Sequence, residues 1–382
     1  MRKTLFSLAP LRHTAGAVGP LVRLMRQGRP SPVPGYAVRV VDGDHLAGTD
    51  HRIKELRTTR SAALPGQALA VLDPAARLIV DLVPCEDAHT QERALVEQLF
   101  ASIKAGQVWV ADRNFCTTRM LFGVARRGAY FVIRQHASTL HWRELGPFRP
   151  CGRADTGRVS EQPVEISEPL AGERLTARRI RLELDEPTED GETEILLLTN
   201  LPAEAGADGA GGPPAVSARQ VAEGYHGRWT IEHAFQDLAV ALRGEVDTLG
   251  YPRAALFAFA VAVAAYNLVA LVLAALGAVH GRDEVEAGVS TYHLAREWAA
   301  TYPGMAIAVG PRAWAGYAAH ALDDAAFVGV LTDLAEAADL RKYRRARRGP
   351  KKKRPRKASG SRIHHVATAK LLEGRKVAKT AP

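Results

Sequence analysis

The chain reads as an α/β protein built on a mixed sheet with helices on its faces. Three observations predict this. Three apolar, β-type runs come first, punctuated by turn residues. A helix-spaced stretch, a strand, a second helix and a further strand follow in alternation. Long helical stretches then close the chain after a strand-like polar block. With 382 residues, 47% of them hydrophobic and 24% charged, the chain can bury a sizeable core. Global disorder and a collagen-like scaffold are excluded. Cys85, Cys116 and Cys151 form no CxxC pair, so a zinc knuckle or disulfide framework is excluded too.

Taken in order, residues 11–28 can form a short basic helix, stopped by the Pro-rich linker RPSPVPG. YAVRVVDGDHL is an apolar β-type run ending in Asp42. QALAVLD and RLIVDLV flank Asp73-Pro74 and predict a hairpin. Residues 88–105 have helical spacing and Gly106 closes them. VWVADRNF is a fourth strand, ending in Asp112; residues 117–127 read as helix and AYFVIRQ as a fifth strand. That order is the order of a ribonuclease-H-like sheet, although periodicity does not give the strand arrangement. Residues 137–203 turn polar and strand-like, which reads as a β-rich insertion before the helix that follows. GADGAGGPP is a linker, and Ser217 caps a long helix. The boundaries are therefore 1–35 (short N-terminal helical segment and linker), 36–136 (core, first part), 137–203 (insertion), 204–340 (core, second part) and 341–382 (basic disordered tail).

Charge is unevenly placed. Residues 341–382 hold 17 Lys/Arg against one acid, Glu373, a net of +16 in a chain of +10, so the body is mildly acidic at −6. The run RKYRRARRGPKKKRPRK suits DNA phosphates, and it also matches a nuclear-localisation pattern. The N-terminus develops no apolar stretch of signal-peptide length. Residues 254–276 carry no formal charge and are long enough to cross a bilayer. Their alanine content and the central Tyr266-Asn267 favour a buried core helix.

The chemistry-bearing residues lie in three places. On the helix after Ser217, Tyr225, Arg228 and Glu232 fall at roughly 0°, 300° and 340° around the axis, on one face. An i,i+4 Arg–Glu pair on a solvated face is the bland alternative. Asp42 and Asp112 end two β runs that are neighbours in a ribonuclease-H-like sheet. Two such carboxylates with a third from a later helix can hold two divalent ions about 3.5–4 Å apart. Magnesium suits an all-oxygen donor set.

The stretches VVDGDHLAGTDHRIKELR, WVADRNFCT, YFVIRQH, YHGRWTIEHAFQDL and LGYPRAALFAFAVAVAAYN make the resemblance specific. The chain resembles the DDE-class transposases of the insertion-sequence-four family, from about Val38 into the tail. The resemblance implies a ribonuclease-H-like core with a β-rich insertion, and a catalytic, metal-binding triad of Asp42, Asp112 and Glu232. The family's Y-x2-R-x3-E-x6-K signature falls on Tyr225, Arg228 and Glu232, and Ala239 stands where it has lysine. Tyr225, Arg228, Arg134, Arg113 and Arg243 are the expected DNA-contacting positions. Arg243 replaces the missing lysine from the same helix face. Asn114 either touches phosphate or orients Asp112.

The implied function is DNA transposition: Mg²⁺-dependent (or Mn²⁺-dependent) cleavage at transposon ends, then strand transfer into target DNA. The expected partner is DNA, bound by a homodimer on paired ends, in a bacterial cytoplasm at the nucleoid, with no membrane. Two alternatives stay open. One is an inactive remnant that binds DNA nonspecifically, given the short segment before Asp42 and the missing lysine. The other is a membrane-anchored chain spanning the bilayer at residues 254–276.

Overall fold

The computed structural model describes residues 9–26, 31–48, 53–54, 62–136, 140–169, 171–188, 191–203, 213–247, 249–308, 323–346 and 365–380. The linker expected at 206–214 and the basic run 341–357 lie largely outside them.

Helix α1 (Ala9–Met25) precedes the meander of β1 (Ala37–His45), β3 (Gln67–Asp73) and β4 (Leu78–Cys85), with the short β2 (Ala62–Leu64) between. β3 and β4 form the expected hairpin around Asp73-Pro74. All seven residues of β3 are buried, as are all five of β5 (Gln107–Ala111), which is why both read as unbroken apolar runs. Helix α3 (Thr118–Ala125), capped by Thr117, and β6 (Tyr130–Arg134) follow as expected.

The helix expected over 88–105 is instead a 3-10 turn (Glu92–Ala94), one α-helical turn, α2 (Val96–Leu99), and a second 3-10 turn (Phe100–Ser102). Leu95, Val96 and Leu99 still reach the core, so the apolar spacing is satisfied without a continuous helix.

The polar block supplies β7 (His141–Glu144), β8 (Arg149–Ala154), β9 (Gly157–Glu168), β10 (Glu173–Leu184) and β11 (Glu194–Thr199). β11 pairs antiparallel with β6, so the block continues the central sheet. The path runs β4-β3-β1-β5-β6-β11-β10-β9-β7, with β8 on β9. Within this sheet, among the described residues, β1, β5 and β6 are mutually parallel and both flanks are antiparallel. The fold is therefore α/β, a mixed sheet with helices on its faces.

One face packs Val108, Val110 and Val132 against α4 (Ala218–His226), α5 (Trp229–Gln236) and α6 (Pro252–His280). The other packs Trp109, Phe131 and Ile133 against α2 and α3. Helix α6, 29 residues long, is apolar enough to cross a membrane, yet it lies against α1 and β4. Its Asn267 is fully buried. The side chain accepts from the Ile79 N–H and donates to the Ile79 carbonyl, both at 2.9 Å. Those bonds close two backbone groups that β4 leaves unpaired on the sheet edge. α7 (Arg282–Gly288), α8 (Thr291–Ala308) and the helix Asp324–Glu336 complete this layer.

The tail departs from the disorder expected across 341–382. Arg345 donates from its backbone to Gly288 and from its side chain to Val289, at 2.7 and 2.8 Å. β12 (His365–Ala367) pairs in parallel with β2, and the helix Thr368–Thr380 follows. Val366 and Leu371 pack on Ile53, which gives the end of the tail an apolar anchor that its charge content concealed.

Candidate active site

β1 and β5 run side by side in parallel register from Ala37↔Gln107 to Val41↔Ala111. Asp42 and Asp112 are the next residue of each, so the two carboxylates leave adjoining strands at the same end. Asp112 does end its strand, and its side chain caps the 3-10 turn Arg113–Phe115 by accepting from the Asn114 N–H at 2.9 Å. Asp42 does not end β1. Pairing with β3 carries that strand on to His45↔Gln67.

The long helix expected after Ser217 begins as predicted, with a full capping box between Ser217 and Gln220. It then breaks. α4 stops at His226, and Gly227, Arg228, Thr230 and Ile231 donate to carbonyls three residues back. α5 begins at Trp229 and runs into a π-helical turn, Asp237–Ala241. Gly224 and Gly227, on either side of the break, lie against Pro32; a Cβ on Gly224 would meet the Pro32 carbonyl oxygen at 3.0 Å.

The break does not scatter the predicted residues. Arg228 donates from Nη1 to Oδ2 of Asp42 at 2.9 Å and from Nη2 to Oε1 of Glu232 at 2.7 Å. Its side chain is 12% exposed, Asp42 is 16% and Glu232 is 39%. Arg228 also lies over the Trp229 ring, 5.2 Å from its centroid, and its buried Nε has no hydrogen-bond partner. Tyr225 is buried beneath the same site. Burial pushes its phenol up to about 12, against the pull of Arg228 and Arg134.

Arg134, at the end of β6, pairs with Glu192, and Arg113 reaches the same carboxylate at 3.2 Å. Two expected DNA contacts thus share one acid beside the site. Arg243 lies elsewhere than its helical phase implied. The helix ends at Leu242 after the π turn, and Arg243 has φ 50, so no common face with Glu232 exists.

Three further acids crowd this end of the sheet. Asp44 follows Asp42 by two residues on the same strand face. One of its carboxylate oxygens is buried without a partner. Glu92 lies against Gly43 and accepts from Asn114. Glu245 accepts from the Gly48 N–H. The signal for Asp44 was present in the period of β1; Glu92 and Glu245 lie on irregular segments and offered none.

Burial is the largest influence on Asp42, whose carboxyl is pushed up to about 7. Arg228 opposes that, while Asp112 and Glu92 add to it. Asp44 is also pushed up to about 7, by burial first and then by Glu245 and Asp42. So acids dominate the site and one guanidinium opposes them from within. Among the described residues no group of three or more His, Cys, Asp or Glu is drawn together to hold a metal ion, since Arg228 stands between Asp42 and Glu232.

No protein-family model matches the chain, and no curated protein matches it. Among solved structures it is similar to the piggyBac transposase of a cryo-EM synaptic complex with hairpin DNA. The identity is 12% and the TM-score 0.37, over 62% of this chain and 46% of that one. The chain thus spans less than half the length of that protein.

Proposed function

We propose that this chain is a DNA transposase of the DDE class, akin to the insertion-sequence-four family, with a ribonuclease-H-like core. The observation that carries the reading is the placement of Asp42 and Asp112 at the same end of adjoining parallel strands, with Arg228 joining Asp42 to Glu232. Ligands of α/β sheets bind beyond the carboxyl ends of parallel strands, where these side chains lie.

The donors are of the kind a hard divalent cation takes, although among the described residues they are not drawn together around one point. The ligand atoms are carboxylate oxygens, one of them a buried oxygen of Asp44 with no hydrogen-bond partner, and a bound cation would favour the charged form of Asp42 as Arg228 already does. Asp42, Asp112 and Glu232 would hold Mg²⁺, with Mn²⁺ as substitute. When bound, such a metal would activate an attacking oxygen and stabilise the leaving oxygen of the phosphodiester. The protein's own groups do the rest. Both Nη atoms of Arg228 hold carboxylates, a fork of the kind that could pass from them to a phosphate. Tyr225, held protonated, remains a donor at neutral pH. Arg134 and Arg113, both on Glu192, flank the path that the DNA backbone would take. The transposon ends and the target are the expected partners, with two copies of the chain on paired ends in a bacterial cytoplasm.

One observation favours the second reading, a DNA-binding remnant without activity: Arg228 bridges two of the three triad acids. Nicking of plasmid DNA separates the two. Mg²⁺ or Mn²⁺ should support cleavage and Ca²⁺ should inhibit it, since its looser shell misplaces the attacking oxygen. Asp42→Asn, Asp112→Asn and Glu232→Gln should each abolish cleavage and leave DNA binding intact. Full cleavage by any of them defeats the triad.

A further inference from the structure

Glu92 lies outside the triad, on the 3-10 turn Glu92–Ala94 that enters the site between β4 and β5. Two contacts fix its carboxylate. Oε2 accepts from Nδ2 of Asn114 at 2.6 Å. Oε1 rests over Gly43, where an added Cβ would lie 2.1 Å from it and 2.4 Å from Cδ. A side chain at position 43 would push the Glu92 carboxylate aside.

Both contact points belong to residues that hold the strand aspartates. The Gly43 N–H donates to Oδ1 of Asp42 at 2.9 Å, and the Asn114 N–H donates to Oδ1 of Asp112 at 2.9 Å. A chain of contacts therefore runs from Asp42 through Gly43, Glu92 and Asn114 to Asp112. It crosses from β1 to β5 just beyond Val41↔Ala111, the last pair of their parallel register. Past that pair the ladder no longer sets the spacing of the two strands. A carboxylate also accepts only, so it forces Asn114 to present its NH₂ group. Stability does not select an acid here, because Glu92 adds negative charge beside Asp42 and Asp44.

We infer that Glu92 is a positioning residue, bracing the Asp112 loop against β1 and so setting the separation of the Asp42 and Asp112 carboxylates. The inference rests on the transposase reading of those two acids. Glu92→Gln keeps an oxygen for Asn114 and Glu92→Ala does not, so the pair is compared in the full chain by two readouts.

The first readout, deuterium exchange at the amides of Asn114 and Cys116, needs no catalysis. Exchange should quicken about tenfold or more in Glu92→Ala, through local opening, and stay near the parent in Glu92→Gln. The second is Mg²⁺-dependent plasmid nicking. Glu92→Ala should lose about ten- to hundredfold in kcat with KM unchanged, since a misplacement of ~1 Å costs ~10²-fold. Glu92→Gln should restore most of it, and Asn114→Ala should add little to Glu92→Ala because the same link is already broken.

Unchanged exchange in Glu92→Ala overturns the brace whether or not DNA is cut. Faster exchange with parental kcat overturns the positioning role. Equal loss in the Ala and Gln variants overturns it in favour of a role for the charge. A parent that makes no nicks defeats the transposase reading, while exchange still decides the brace.

Discussion

Replacing Arg228 tests the centre of the site. A lone i,i+4 Arg–Glu pair on a solvated helix is worth about 0.2–0.5 kcal/mol. Here the guanidinium is 12% exposed and also holds Asp42, itself 16% exposed. Arg228→Met would strand a buried carboxylate, which costs about 3–5 kcal/mol. Arg228→Lys keeps the charge but cannot offer two separate N–H groups in a fixed fork, so it should cost about 1–3 kcal/mol. The cost should also depend on pH. Burial already pushes Asp42 up to about 7 with Arg228 in place, so at about pH 5 the folded protein carries a neutral Asp42. Urea unfolding at pH 8 and pH 5 should show a large loss at the first and a smaller one at the second. Losses below about 0.5 kcal/mol at pH 8, or equal losses at both, refute the buried bridge. In the cleavage assay, Arg228→Lys should stay folded and fall by an order of magnitude or more, because a lysine cannot copy a two-pronged grip on phosphate. Parental cleavage would leave Arg228 with a structural role alone.

Other outcomes follow from the same geometry. Asn267→Leu leaves both polar groups of Ile79 unpaired on a buried edge and should cost about 2–4 kcal/mol in urea, with the m-value unchanged; a loss under about 1 kcal/mol contradicts the pairing. Asp44 is raised from 3.8 to about 7, so the folded state keeps a proton that the unfolded chain releases. Stability should therefore fall as pH rises through that window, and Asp44→Asn should flatten the decline; an unchanged slope argues against it. Deleting residues 341–382 removes a net +16, so nonspecific DNA affinity should collapse and the salt dependence should flatten. It should also lower the melting temperature modestly, through loss of the β12 pairing and of the Lys370–Asp87 ion pair; an unchanged salt slope places the phosphate contacts on the body.

Much of this was legible in the chain, for local reasons. The hairpin at Asp73-Pro74, the Thr118–Ala125 helix and the Ser217 cap depend on near neighbours, and each lies where pattern put it. Asp112 was readable because a buried run ended abruptly at a carboxylate. What escaped depends on distant contacts. The helix break at Gly227 lies against Pro32, nearly two hundred residues away, and the π turn that follows moved Arg243 off the face that its spacing implied. The strands of 137–203 have clear periodicity, but nothing in it says that β11 would join β6. Glu92 sits on an irregular turn, and its place over Gly43 follows from packing alone.

The pairing of β12 with β2 changes what kind of object the C-terminus is. Among the described residues the segment is held by three residue pairs, one ion pair at 3.2 Å and two apolar side chains on Ile53, a small contact by the standard of a separately bound peptide. The segment stays seated because the backbone fastens it to Arg345, which is itself bonded to Gly288 and Val289. Covalent continuity with a segment already in place raises the local concentration of a weakly held one, so slight contacts suffice. The helix Thr368–Thr380 is thus held by covalent proximity as well as by its own contacts, and a backbone cut between residues 346 and 365 should loosen its hold.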